Sequence, residues 1–164
     1  MFRYGAVSHN IIRINDGKQN VKSHVRIDDC DLNVPSPGVR LDLTPAYGRP
    51  VTREFVFRGR SSLEITDTVG GLGEGDVVRF QMLTKAAPAI GGSVLTLTQD
   101  GETLTLEAPG GAVWQSVEAS ALRNAWDTPE KEPDYKVVYF EIRVAADGPF
   151  GGVARQSNYT VKIK

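Results

Sequence analysis

Two histidines are the first residues of this sequence that could carry chemistry, because imidazole binds metals and transfers protons near neutral pH. His9 stands in Ser8-His9-Asn10, directly ahead of an apolar run. One histidine does not make a zinc site, since zinc takes three or four ligands and no other histidine or cysteine lies nearby in the sequence. From the residues alone, His9 is a loop histidine.

His24 lies between Lys22 and Arg26 on the polar side of an alternating run, Val21–Ile27. The odd positions of this run carry Val, Ser, Val and Ile, which predicts a half-buried strand with a basic edge. In one interpretation this edge is simply solvated. In the functional alternative, His24 and Arg26 form a cationic patch that binds an acidic ligand.

Aromatic residues form a third candidate group, in and beside a segment that we predict to be helical. They are Trp114, Trp126 and Tyr135. Sugars stack their C–H faces on exposed aromatic rings, so Trp114 and Trp126 are candidate saccharide-binding residues. In the alternative interpretation, these rings seal one end of the protein core.

Nucleophilic catalysis and phosphate binding are not supported. No Gly-x-Ser-x-Gly motif occurs. The solitary Cys30 stands between aspartates, whose charge disfavours a reactive thiolate. The glycine-rich run Val69–Asp76 lacks the Lys-Ser/Thr of a phosphate-binding loop and precedes a strand, so we predict an ordinary loop.

Charge and length exclude further classes. The chain has 19 Lys+Arg against 20 Asp+Glu, a formal charge of −1, and so lacks the broad basic field that nucleic-acid binding needs. No apolar run approaches the roughly 20 residues that span a bilayer. The first residues, MFRYGAVSHN, are not a signal peptide, so the signal of a periplasmic or secreted parent would lie outside this chain. The 164 residues predict a single domain over 1–164.

The dominant hydrophobic period is two, which is typical of strands. Beyond Val21–Ile27, alternating runs occur at Val39–Thr44, Val51–Arg58, Leu63–Thr66, Val77–Leu83, Val137–Val144 and Tyr159–Lys164. The fold class that this spacing predicts is all-β, an antiparallel two-layer β-sandwich. One short helix is predicted at Val117–Trp126, because Val117, Ala121 and Ala125 recur at helical spacing and Pro129 prevents continuation.

Two hairpins are predicted from their turns. In Val94–Leu106, Asp100-Gly101 supplies the two positive-φ positions of a type I′ turn. This register pairs Leu97 with Leu104 and places four leucines on one face and four threonines on the other. Asn15-Asp16-Gly17 predicts a second hairpin between Ile11–Ile14 and Val21–Ile27.

Four short motifs, read in order, resemble the β-sandwich region of the heparinase II/III-like family of polysaccharide lyases. Ser8–Gln19 (SHNIIRINDGKQ) is similar to that family's signature of His-Asn-Thr, an apolar strand, Asp-Gly and Gln. It is followed by Asp42–Tyr47 (DLTPAY), Arg53–Arg58 (REFVFR) and Leu63–Val69 (LEITDTV). The resemblance covers most of residues 4–84 and extends more loosely to the rest.

The resemblance implies a role within a larger enzyme. Members of this family abstract the proton α to a uronic carboxyl group, and they carry an N-terminal α/α-toroid that supplies most of the catalytic tyrosines and histidines. No catalytic residue is therefore expected in this chain. In several members the histidine of the motif is one ligand of a structural zinc, which by position is His9 here. Its partners lie upstream in the family, so we expect no cofactor in this chain itself.

Three functions follow as hypotheses. The first is a non-catalytic C-terminal β-sandwich domain of such a lyase, which supports the toroid and forms one wall of a cleft for an acidic polysaccharide. The second is a stand-alone carbohydrate-binding module that uses Trp114, Trp126 or the strand of His24 and Arg26. The third is an immunoglobulin-like assembly domain. The resemblance also begins partway through the family's sandwich, so we expect an uncovered sheet edge or apolar face that meets the toroid or a second copy of the chain.

Overall fold

The computed structural model describes residues 9–59, 61–119, 135–145 and 155–164. Within them the chain forms twelve strands and one four-residue helix. The strands are β1 Ile12–Ile14, β2 Arg26–Asp31, β3 Gly38–Asp42, β4 Val51–Arg58, β5 Ser62–Leu72, β6 Val77–Thr84, β7 Ala87–Gly91, β8 Val94–Gln99, β9 Glu102–Glu107, β10 Gln115–Glu118, β11 Lys136–Arg143 and β12 Arg155–Ile163; the helix is α1, Thr44–Tyr47.

The strands form two antiparallel sheets. The smaller sheet has the order β1-β6-β11-β10, and the larger has the order β2-β3-β4-β5-β12-β9-β8-β7. The apolar side chains of both sheets meet in one core. The predicted all-β sandwich is therefore confirmed. None of the described helices is long and apolar enough to cross a membrane.

An aromatic cluster fills the centre of the core. Phe80 of β6 and Phe140 of β11 stack with ring centroids 5.4 Å apart, and Trp114 and Tyr159 meet them edge-on. Edge-on and offset stacked pairs are the favoured geometries for aromatic rings. Because Tyr159 comes from β12 of the larger sheet, the cluster joins both layers.

Most of the predicted strands are found close to their expected bounds, and β4 coincides with the prediction. Strand β5 is much longer than predicted: it continues through Gly70 and Gly71 to Leu72, so the first half of the glycine-rich run is strand and only its end is loop. Gly71 has φ 66°, and the register with β12 shifts beside it. Glycine tolerates this left-handed conformation, which is typical of a β-bulge.

The hairpin of β8 and β9 has the predicted register, with Leu97 opposite Leu104 and Leu95 opposite Leu106. Asp100 and Gly101 both have positive φ, as a type I′ turn requires. The four leucines of the shared face are not equally buried: Leu95, Leu97 and Leu106 belong to the core, whereas Leu104 is 39% exposed.

The second predicted hairpin is wrong. Gly17 N donates to Ile14 O, so the turn is present. However, β1 pairs with β6, whereas residues 26–31 join the larger sheet. The alternation of Val21–Ile27 is misleading because no sheet covers its apolar side: Val21 is 92% exposed, and the strand begins only at Arg26.

The predicted helix Val117–Trp126 is wrong at its start, where β10 pairs with β11; residues 120–134 lie outside the described part. Ala119, next to it, is buried. Residues 115–118 pair with the edge of β11 instead of forming a helix, in spite of the helical spacing that includes Val117. The described helix is α1, which has Pro45 in its first turn and ends at Gly48 in the left-handed conformation.

The unequal burial of the hairpin leucines predicts unequal effects on stability. Leu95 is fully buried, so Leu95→Ala should lower the free energy of unfolding by about 2–5 kcal/mol through lost contacts and a cavity. Leu104→Ala in the same hairpin is the matched control and should cost about 1 kcal/mol or less. Urea unfolding measures both; equal losses would contradict the burial described here.

Candidate functional site

A buried ion pair lies between the two sheets. Arg53 of β4 donates through Nε to Asp67 Oδ1 at 2.6 Å and through Nη2 to Asp67 Oδ2 at 2.8 Å. Both residues are buried. Burial acts to lower the pKa of Arg53, but the hydrogen bonds and charge of Asp67 outweigh it and raise that pKa above the ordinary value. The Arg53 guanidinium therefore stays charged inside the core, in the bidentate geometry that best offsets desolvation.

Arg53 also reaches the segment that carries His9. Its Nη1 donates to the carbonyl of Asn10 at 3.3 Å, and the Asn10 side chain accepts from the Leu83 amide at 2.7 Å. Gln81 Nε2 donates to His9 O at 2.9 Å. Residues 9 and 10 are thus fixed through backbone and amide groups. The imidazole of His9 is exposed at the edge of the described region.

Tyr47 of α1 joins the same network. Its hydroxyl donates to Ile12 O and accepts from Gln19 Nε2, each at 2.6 Å. Burial raises the pKa of Tyr47 to about 12. The phenol therefore stays protonated and connects α1 to the segment on both sides of the Asn15-Asp16-Gly17 turn.

Tyr159 is the second buried phenol. Burial, followed by the negative charge of Asp67, raises its pKa well above 10. A general base in catalysis needs a pKa near the working pH and a route to the substrate. The pKa values of Tyr47 and Tyr159 are both raised away from neutral pH, so neither phenol suits the role of a general base.

The predicted metal role of His9 has no further ligand among the residues that the structure describes. In that part of the chain, no three His, Cys, Asp or Glu side chains lie close enough together to hold a metal ion. The aspartates of β2 belong to the larger sheet, whereas His9 precedes β1 of the smaller one. The described residues therefore do not fit a zinc site.

The predicted cationic patch lies beside an acidic strand. His24 is exposed ahead of β2, and Arg26 begins that strand. Arg26 Nη2 donates to Asp42 Oδ2 at 2.5 Å, so its charge is already matched. The rest of β2 carries Asp28, Asp29 and Asp31, all exposed. This edge has more carboxylates than cations and disfavours an acidic saccharide.

Trp114 does not present the exposed ring that saccharide stacking requires. Trp114 is 2% exposed, its ring contacts Phe80 and Phe140, and its Nε1 donates to Ser93 O at 3.0 Å. It seals the core, as the alternative interpretation held. Trp126, the other candidate, lies outside the described residues. Tyr135 contacts the Lys85 ammonium through its ring.

The sequence carries one signal for the buried network, namely a charge on the apolar side of each of two strands. Arg53 and Asp67 occupy positions of strands β4 and β5 where apolar residues flank them at every second place, as Val51 and Val69 do. A charge on the apolar side of a strand is costly unless it is paired. Two opposite charges in neighbouring strands therefore indicate a buried ion pair.

Removal of one partner of this ion pair should be costly. Arg53→Met leaves the Asp67 carboxylate buried without a counter-charge, and the free energy of unfolding should fall by about 3–5 kcal/mol. The matched control is Arg58→Met, because Arg58 pairs with Glu64 at 2.7 Å across the same two strands but at the surface. That change should cost about 1 kcal/mol or less. Similar losses by urea unfolding would contradict a special role for the buried pair.

Asp42 should make stability depend on pH at acidic values. Hydrogen bonds from Thr44, followed by that from Arg26, lower the pKa of Asp42 from 3.8 to about 2. Its contribution is therefore complete above pH 3.8 and is lost as the pH falls through about 2. Asp42→Asn should be less stable than wild type at pH 5, and this difference should shrink towards pH 2. Urea unfolding at pH 5, 3 and 2 measures it; a constant difference would contradict the pairing.

Comparisons with known proteins agree with this architecture. No protein-family model and no curated protein matches the chain. Among solved structures, heparan sulfate lyase HepC from Pedobacter heparinus matches with a TM-score of 0.72 and 13% identity, over 97% of this chain and 24% of that one. Heparinase III matches with a TM-score of 0.71 and 10% identity, over 97% and 24%. The chain therefore has the fold of about a quarter of a heparan sulfate lyase chain, as the resemblance implied.

Proposed function

We propose that this chain is a non-catalytic β-sandwich domain of a polysaccharide lyase that cleaves uronate-containing polysaccharides by β-elimination. In that role it supports a toroid and forms one wall of the saccharide cleft. The main observation that supports this proposal is the fold match to heparan sulfate lyase HepC, which extends over 97% of this chain but only 24% of the HepC chain. A fold that matches a quarter of an enzyme chain is consistent with one domain of such an enzyme. The other three quarters of the HepC chain are then available for its catalytic residues.

The arrangement of acids and bases supports a non-catalytic role. Elimination requires a base and an acid that converge on one sugar ring. His9 precedes β1 of the smaller sheet, and His24 precedes β2 at the edge of the larger sheet. The phenol of Tyr159 is buried, that of Tyr47 is half-buried, and both have raised pKa values. The two histidines thus precede strands of different sheets, and the two phenols have pKa values too high for a general base.

The exposed apolar surface supports contact with further protein. Ile27 on β2 is 66% exposed, and Phe57 at the end of β4 is 51% exposed. Leu32 and Val34, between β2 and β3, are also exposed. Exposed apolar residues on and after an edge strand, as Ile27, Leu32 and Val34 are, are typical of a protein–protein contact, so a toroid or a second copy of the chain is the proposed partner.

The alternative of a stand-alone carbohydrate-binding module is weakened by the burial of Trp114, which removes one of its two aromatic candidates. Trp126 is the remaining one. The two functions differ in affinity. A wall that completes a cleft with another domain should bind saccharide weakly by itself, whereas a module should bind with micromolar affinity that is lost in Trp126→Ala.

The purified chain should release no unsaturated uronate from heparin, heparan sulfate or alginate, because its described residues do not bring an acid and a base together. Ultraviolet absorbance of the unsaturated product, followed over hours with a commercial lyase as positive control, measures this. Sustained product formation would overturn the non-catalytic assignment. Micromolar binding that Trp126→Ala abolishes would favour the module instead.

A further inference from the structure

A small pocket opens where the end of β1, the following turn and the end of α1 meet. It has a volume of about 200 Å³ and is lined by Ile14, Asn15, Gly17, Lys18, Tyr47 and Arg49. Pockets that enclose a whole drug-sized ligand are larger, roughly 300–1,000 Å³. This pocket therefore suits one ring substituent or one residue of a longer chain.

Two cations line this pocket. Lys18 is exposed and forms no ion pair with any residue that the structure describes. Among the described residues, Arg49 makes its polar contacts through Nη1, which donates to Gly71 O at 3.3 Å and lies 3.6 Å from Asp76 Oδ2. Guanidinium has five N–H donors, so in this part of the chain the Nε and Nη2 donors of Arg49 remain available.

The carboxylates near the pocket are already engaged. Asp76 accepts from Asn15 Nδ2 at 3.0 Å and from the Gly73 amide at 2.9 Å, both shorter than its approach to Arg49. Asp16 is paired with Arg13 at 2.9 Å. These hydrogen bonds do not neutralise Asp76, but Lys18, Arg49 and Arg13 together carry three positive charges against the two carboxylates of Asp16 and Asp76, so the charge summed over these residues is positive.

We propose that this pocket binds a carboxylate or sulfate substituent of an acidic saccharide, with Lys18 and Arg49 as the two cationic contacts. The proposal rests on the proposed function and names the part of the wall that contacts the polysaccharide. An arginine with free Nε and Nη2 donors matches the two oxygens of a carboxylate or sulfate, and a nearby lysine adds a point charge. The buried hydroxyl of Tyr47 is held by Gln19 and Ile12, which fixes the pocket wall before the ligand arrives.

A titration with a heparin tetrasaccharide, followed by amide chemical shifts in NMR spectra, tests this site. The method detects the weak binding that we expect when one wall of a cleft binds saccharide by itself. The amides of Asn15, Gly17 and Lys18 should shift and saturate. Lys18→Ala and Arg49→Ala should each weaken binding by about fivefold or more, and the loss should diminish at high salt. Lys22→Ala is the matched control, because Lys22 is exposed four residues away but does not line the pocket, and its affinity should equal that of wild type.

Further arms distinguish the source of the anion. An alginate tetrasaccharide should bind through its carboxylates, and a neutral maltotetraose should not shift these amides. Sodium sulfate that shifts the same amides as tightly as the tetrasaccharide would show a site for a free anion and overturn the saccharide proposal. If Lys18→Ala and Arg49→Ala leave saccharide binding unchanged, the proposed site in this pocket is overturned, but the proposed function of the chain is not. Lyase activity of the chain, measured separately, would instead overturn its non-catalytic function.

Discussion

The buried Arg53–Asp67 ion pair is the interaction on which the arrangement of this protein depends. Two charges taken out of water cost several kcal/mol each, and only close geometry with satisfied hydrogen bonds offsets that cost. Here the guanidinium meets the carboxylate with two parallel bonds and uses a third donor on the carbonyl of Asn10. Asp67 belongs to the larger sheet, whereas Asn10 precedes the first strand of the smaller one. The pair therefore joins the two layers and fixes the path by which the chain enters the sandwich.

The polar residues of the first segment serve the fold. Asn10, Asn15 and Gln19 each hydrogen-bond to a residue more than 25 positions away; the first two bond to the end and the start of strand β6, and Gln19 bonds to α1. These side-chain hydrogen bonds favour one docking geometry of the segment, because another geometry would break them. In the described residues, the pattern of His-Asn, Asp-Gly and Gln that resembles a lyase family therefore contributes hydrogen bonds that hold this segment against β6 and α1. A short motif shared with an enzyme family can mark a conserved way of folding as well as a catalytic group.

Local patterns predicted the fold where burial is also local. Alternation along β4 and the Asp100-Gly101 turn gave the correct strand and register because both are determined by residues close in sequence. They failed where a distant partner decides. Val21–Ile27 alternates but has no layer to cover it, and Val117 follows a helical spacing but pairs with β11. For the candidate site, residue type identified possible ligands but not their surroundings, so the burial of Trp114 and the engagement of Arg26 by Asp42 appeared only in the structure.

Net charge was a weak guide to binding for the same physical reason. A total of −1 describes a sum, whereas a ligand responds to the charges that remain unmatched within about 10 Å, the screening distance at moderate salt. Along β2 three aspartates outnumber one arginine, which is already paired. Beside α1 the carboxylates of Asp16 and Asp76 face three cations, Arg13, Arg49 and Lys18, and Lys18 has no ion pair within the described part of the chain. A chain with almost no net charge can therefore carry both an acidic edge and a cationic pocket. The sign of each surface depends on which of its charges are paired with a neighbour.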